Sequence, residues 1–286
     1  MEQKNNNFFA ILSQRKYEIL SVVIFLILSF LVTFFFLWKQ ERTMPKKDGT
    51  VSKVTVYTDT PTNFPHSKSL AFTNIENNPE YTNVWGEENM EISDSSVKVS
   101  FPKGSFSPSN GPIKGGGGFI YSPEFLGQAS HSELSYNLTF AKDFDFVKWG
   151  KLPGLCGGTC PRGGNEGEGF STRFMWRRNG DLEVYGYLPG GLEQSIERGM
   201  FRFEPWKKYH ISQEIQINTL GEDDGVIKVF VDGKCVYKNT SMVFRTTSDI
   251  LPNKMIFSTF FWGADKSWAT PVDTSIEFWD FTLGWE

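Results

Sequence analysis

Residues 169–188 read GFSTRFMWRRNGDLEVYGYL, and the alternation in this stretch decides the fold. Phe170, Thr172, Phe174 and Trp176 share one face of a first extended run, and Leu182, Val184, Gly186 and Leu188 share one face of a second. An apolar face at period two is the mark of a half-buried strand. The opposite faces carry Ser171, Arg173, Met175 and Arg177, then Glu183, Tyr185 and Tyr187. A two-residue turn at Asn179-Gly180, the usual reading of Asn-Gly, would set Arg173 against Gly186 and Trp176 against Glu183. That register mixes core with polar positions. A three-residue loop, Arg178-Asn179-Gly180 with Gly180 left-handed, shifts it by one. Arg173 then faces Tyr185, Ser171 faces Tyr187, Phe174 faces Val184 and Trp176 faces Leu182. The second register is predicted.

The same extended character runs outward along the chain. Ser96–Phe101, Glu133–Phe140 and Tyr209–Ile217 alternate, and Val226–Lys238 reads as a hairpin about Asp232-Gly233. Met255–Trp262 and Thr274–Leu283 are apolar on both faces, as central strands are. Residues 149–168, headed by Lys151, and the run Gly115–Gly118 are rich in glycine and read as loops. Gly115–Gly118 is not followed by the lysine-serine or lysine-threonine pair and helix of a phosphate cradle. The expected fold is an all-β antiparallel sandwich, a jelly roll, over 55–286 as one domain.

The 20 residues 19–38, ILSVVIFLILSFLVTFFFLW, contain no charge. At about 1.5 Å per residue such a helix crosses the roughly 30 Å hydrocarbon core. Its Phe-rich end followed by Trp38 and Lys39 is a poor cleavage site and a good interfacial anchor. The organisation read from the sequence is a polar tail (1–18), a single N-terminal transmembrane helix (19–38), a polar stem (39–54) and the β-domain. Flanking charges, Lys4, Arg15 and Lys16 against Lys39, Arg42, Lys46 and Lys47, do not fix the orientation. Acceptor triplets for glycosylation at Asn137 and Asn239 favour a lumenal or extracellular domain.

Net charge is −4, which gives no general attraction to nucleic acid. Cys156 and Cys160 lie four apart with no second Cys or His pair, so a zinc site is not expected. They are a disulfide candidate or two free thiols, and Cys235 reads as buried and inert. No cofactor or metal is implied.

A face bearing Arg, Ser and two Tyr suits β-elimination on a uronic-acid polymer. The proton at C5 can leave only if the adjacent carboxylate is neutralised, and Arg or Lys does this. Tyr can exchange the protons, and nearby cations are expected to lower its pKa. The blocks KLPGL (151–155), GFSTRFMWR (169–177), LEVYGYLP (182–189) and FSTFFWGADKSWATP (257–271) resemble polysaccharide lyases. The similar families are family 14, of algal viruses and marine molluscs, and the fungal glucuronan lyases of family 20. The resemblance covers most of 140–286. It implies catalytic roles for Lys151, Ser171, Arg173, Tyr185 and Tyr187 and an acidic polysaccharide as substrate. The residues themselves add Glu183, Arg177 and Trp268 as candidate binding residues, Glu183 as a cross-strand partner that can orient Arg173 and Trp268 as a ring that can stack a sugar. His131 and His210 lie outside the motif. A lectin-like sandwich and a glycoside hydrolase remain alternatives. The latter needs two carboxylates at fixed separation, and Glu222 with Asp224 lacks a third partner in the runs such hydrolases carry.

Overall fold

The computed structural model describes residues 57–163 and 167–286. The tail, the apolar run and the stem lie outside the described residues. Among the described residues no helix is long and apolar enough to cross a membrane.

Two antiparallel sheets face one another across a shared core. Strand labels follow chain order. The first sheet runs β10 (Leu192–Arg202), β9 (Asp181–Leu188), β8 (Gly169–Arg177), β7 (Trp149–Gly158), β14 (Lys254–Phe261), β5 (Gly117–Tyr121), β2 (Tyr81–Trp85). The second runs β13 (Lys234–Met242), β12 (Gly225–Val231), β11 (Lys208–Gln216), β6 (His131–Phe140), β15 (Thr274–Trp285), β4 (Ser96–Phe101), β3 (Met90–Ile92), with β1 (His66–Ser69) also paired to β15. The only helices among the described residues are short 3-10 turns.

The β8–β9 register is the one parity requires. Arg173 opposes Tyr185, Ser171 opposes Tyr187, Phe174 opposes Val184 and Trp176 opposes Leu182. The loop 178–180 spends two left-handed residues, Asn179 at φ 64° and Gly180 at φ 81°, on the reversal. Phe170, Phe174, Trp176, Leu182 and Val184 are fully buried against Tyr136, Leu138, Phe140, Ile211 and Ile215 of the other sheet.

Two glycine-rich stretches read as loops are strands. Gly117 and Gly118 open β5, and 149–158 is β7, in the middle of the first sheet. Glycine is needed there for close backbone approach: a Cβ on Gly154 would stand 2.1 Å from the Thr172 carbonyl oxygen. The low side-chain content that hides the alternation is what lets these strands pack.

Candidate active site

The site begins with a bulge. Between Lys151, opposite Met175, and Gly154, opposite Arg173, β7 carries one residue more than β8. Without it Lys151 and Leu155 would share a face. With it Lys151 turns outward, while Leu155 enters the core and pairs with Thr172. The ladder interrupted by the bulge is repaired from the second sheet. Gln213 Oε1 accepts from the Leu155 amide at 2.9 Å and from Thr172 Oγ1 at 2.8 Å, and Tyr136 donates to the Pro153 carbonyl at 3.0 Å. The Leu155 amide and the Pro153 carbonyl thus find partners inside the core, while Gln213 Nε2 is left without one.

On the outer face of the same sheet, β7, β8, β9 and β14 form the floor of a cleft of about 460 Å³. That is within the range of small-ligand sites. Lys151, Arg173, Tyr185 and Tyr187 all line it, with Ser258 on β14 and the indole of Trp262 at its edge. Lys151 is 4% exposed and Arg173 3%, and among the described residues neither pairs with a carboxylate. Lys151 Nζ donates to Met175 Sδ at 3.0 Å and lies 3.9 Å from the centre of the Tyr185 ring. Arg173 Nη1 reaches only Ser258 Oγ, at 3.5 Å, its Nε has no hydrogen-bond partner, and its guanidinium stands 5.7 Å from the Tyr187 ring. Two buried cations so poorly satisfied by protein are suited to receive an anion.

Burial, reinforced by the Arg173 and Arg177 cations, pushes the Lys151 ammonium well below its ordinary value. Burial brings the Arg173 guanidinium to about 10, so it stays charged at neutral pH. Tyr185 departs from expectation. Burial and the hydrogen bond to Glu193 Oε2, 2.6 Å away, push its hydroxyl well above the ordinary value, and the nearby Arg177 cation does not overcome them. Tyr185 therefore holds its proton in the resting site.

The remaining predicted residues lie around the cleft, not in it. Ser171 is fully buried and donates to the Pro161 carbonyl at 2.7 Å, bracing the chain after Cys160. Glu183 is fully buried and does not pair with Arg173. It accepts from Arg177, from Ser195 Oγ at 2.9 Å and from Arg198 Nε at 3.0 Å. Arg177 in turn covers the Trp149 ring at 3.9 Å. Trp268 packs behind Trp149, 5.3 Å between ring centres, with Lys148 over it at 4.3 Å. Glu183, Arg177 and Trp268 thus support the wall in which Trp149 lines the cleft. Cys156 and Cys160 form a disulfide and Cys235 is a buried thiol. His131 and His210 belong to the other sheet. Asn137 sits within β6 with its amide shared by Asp280 and His210, whereas Asn239 lies on β13 at the sheet edge.

Two charged cleft residues escaped the sequence reading. Arg162 lines the cleft and donates to the Cys160 carbonyl at 3.1 Å. Its signal was its place two residues beyond a cysteine able to close a short disulfide loop. Glu193, the one carboxylate among the described lining residues, faces Tyr187 across the β9–β10 pairing. The parity of LPGGLE, applied as it was to the preceding hairpin, would have found it. Among the described residues no group of His, Cys, Asp and Glu is arranged to hold a metal ion.

Comparison with known proteins gives this geometry a setting. No curated protein sequence matches the chain. Among solved structures, the family 14 alginate lyase of the mollusc Aplysia kurodai is 28% identical, with a TM-score of 0.65 over 79% of this chain and 100% of its own. The alginate lyase of a Chlorella virus is 22% identical, with a TM-score of 0.65 over 77% of this chain and 99% of its own. An endo-β-1,4-glucuronan lyase of the fungus Trichoderma reesei shares the fold at 9% identity, with a TM-score of 0.52 over 78% of this chain and 96% of its own. The family model "Polysaccharide lyase 14" matches residues 89–281, a span that includes the motifs carrying the resemblance and begins well upstream of them, and the chain belongs to polysaccharide lyase family 14.

Proposed function

We propose that this lyase cleaves a uronic-acid polymer of the alginate or glucuronan type by β-elimination, from a domain held to a membrane by residues 19–38 and exposed on the lumenal or extracellular side. The observation that carries the chemistry is the convergence of two under-satisfied buried basic side chains and two tyrosines on one cleft. The substrate class is supported by the alginate and glucuronan lyases among the structural neighbours. The setting is supported by the charge-free run and by the Cys156–Cys160 disulfide, which suits an oxidising compartment. Asn239 is the better placed glycan acceptor of the two.

Arg173 takes the carboxylate of the sugar whose C5 proton is lost, so that charge developing beside it is met by a fixed cation. Tyr187, the tyrosine nearer Arg173, acts as the base in its phenolate form and takes the proton onto its oxygen. The C5–H electrons form the C4–C5 double bond, the C4–O bond breaks, and the leaving oxygen takes the proton of Tyr185. Lys151 adds positive charge to the carboxylate site when the substrate's anion draws a proton onto it. A second reading rests on the depressed Lys151 ammonium: its neutral amine takes the C5 proton in place of Tyr187, and Tyr185 remains the acid.

A hydrolase needs a pair of carboxylates flanking the scissile bond, and the described cleft lining offers Glu193 alone. The test is the product formed from alginate, glucuronan and mixed uronans. New ultraviolet absorbance of an unsaturated uronate supports elimination, new reducing ends without it indicate hydrolysis, and binding with neither indicates a lectin. Protease protection of the domain in sealed vesicles tests the topology, and digestion from the cytosolic side would overturn it.

A further inference from the structure

The turn Pro189-Gly190-Gly191 spends two left-handed glycines, φ 80° and 73°, and returns the chain so that Leu192 faces Leu188 and Glu193 faces Tyr187. Parity therefore puts Glu193 on the cleft face of an edge strand. Its carboxylate does not oppose Tyr185 in the ladder. It reaches diagonally and accepts the Tyr185 hydroxyl at 2.6 Å. Among the described residues no Lys or Arg pairs with it. It also borders an adjoining hollow lined by Glu168, Tyr187, Leu188 and Thr246.

A lone carboxylate is out of place in a cleft whose other charges are Lys151, Arg162 and Arg173. Facing a polyanion, it can only weaken binding. Its single bond to Tyr185 is the compensating feature. We infer that Glu193 is a positioning residue that holds the Tyr185 hydroxyl, proton in place, for delivery to the leaving sugar oxygen, and that its charge sets a deliberately loosened hold on the polyanionic chain. This rests on the assignment of Tyr185 as the acid. In the step itself the proton of the Tyr185 O–H bond goes to the departing C4 oxygen, and the electron pair stays on the phenolate. That phenolate forms under Lys151, 3.9 Å from the ring centre, and 6.0 Å from Arg177, which offset the repulsion from Glu193. The group that took the C5 proton restores Tyr185, so the cycle is balanced without a further reagent.

The experiment compares kcat and KM on a polyuronate for the full-length protein and its Glu193→Gln, Glu193→Ala and Tyr185→Phe variants. Glu193→Ala removes the acceptor and is expected to lower kcat by about 10- to 100-fold, the scale of a misplaced reacting group. Glu193→Gln keeps an acceptor oxygen and loses the charge. It is expected to hold kcat near wild type while lowering KM, more so at low salt, where unscreened repulsion is greatest. A kcat for Glu193→Ala equal to wild type, with Tyr185→Phe strongly impaired, overturns the inference and leaves the acid assignment standing. So does an equal kcat loss in the Gln and Ala variants, or a KM unchanged by Glu193→Gln at low salt. Full activity of Tyr185→Phe overturns both the inference and the assignment beneath it.

Discussion

Arg173 on β8 and Tyr185 on β9 stand directly opposite one another and project from the same face of the sheet. The pairing sets both side chains on the cleft side of the sheet without any loop to position either, and strand-borne groups are held more tightly than loop-borne ones. Arg173 is 3% exposed and makes only one long hydrogen bond, so it adds little to the fold, and in the proposed mechanism its partner is the substrate carboxylate.

Arg173→Ala is therefore expected to lower kcat/KM by about 10²- to 10³-fold, the cost of removing a group that meets developing charge. Arg173→Lys is expected to recover little of this, because an ammonium cannot make the planar two-point contact. Product absorbance measures both. A lysine variant close to wild type would show that Arg173 supplies charge alone.

The two tyrosines separate the readings of the base. Tyr185→Phe is expected to cost about 10²- to 10⁴-fold in kcat, as the loss of an acid does. Tyr187→Phe is expected to cost as much if Tyr187 takes the C5 proton, and far less if Lys151 does. Near-normal turnover in both variants would remove tyrosine from the mechanism.

Burying Lys151 costs stability. Its folded pKa is depressed, so the unfolded chain binds the proton more readily. Stability from this group therefore rises with pH from its lowered folded value up to its ordinary value of 10.5. Lys151→Met, of similar length and without charge, is expected to raise the thermal midpoint at neutral pH and to narrow that gain as pH approaches the ordinary lysine range. Lyase activity is expected to fall by about 10²-fold or more. Calorimetry across pH, set beside the rate, checks both halves. A variant that is neither more stable nor less active would place Lys151 in an ordinary solvated position.

What the sequence made legible follows from parity. The Arg178-Asn179-Gly180 loop could be chosen over the two-residue turn because only one register put Phe174 and Trp176 with Val184 and Leu182. The 149–158 strand was obscured because Gly150, Gly154, Gly157 and Gly158 carry no side chains to alternate, and Pro153 marks a bulge that reverses parity midway. Glu183 and Arg177 looked like cleft residues because they share a face with Tyr185. Their ion pair turns them to each other and to Ser195 and Arg198 of the sheet edge, contacts no local pattern announces.

Far from the cleft, the segment leading in from the N-terminus is pinned to the outer face of the second sheet. The Thr62 amide and hydroxyl donate to Glu214 at 2.7 and 2.9 Å, Lys228 joins the same carboxylate at 3.1 Å, and His131 stands between Glu214, at 3.8 Å, and Glu286, at 2.9 Å. Burial alone would lower the His131 pKa, but the hydrogen bonds to Glu214 and Glu286 outweigh it and raise it above 6.5. Burial alone would raise Glu214, yet His131, Thr62 and Lys228 hold it at about 2. The signs then follow. The stability due to His131 is full below 6.5 and is lost as pH rises through its higher folded value. That due to Glu214 is full above 4.5 and is lost as pH falls through about 2. Glu133, raised chiefly by burial, works against the clasp once it ionises. The clasp is expected to be firmest near pH 5 to 6, roughly the interval between the two ordinary values. The Thr62 amide, corrected for intrinsic exchange, should be better protected from hydrogen exchange at about pH 5.5 than at about pH 8.5. Glu214→Gln should lower stability by about 1–3 kcal/mol and erase that difference. Equal protection of Thr62 at both pH values in the unmodified protein would mean that His131 does not hold the clasp.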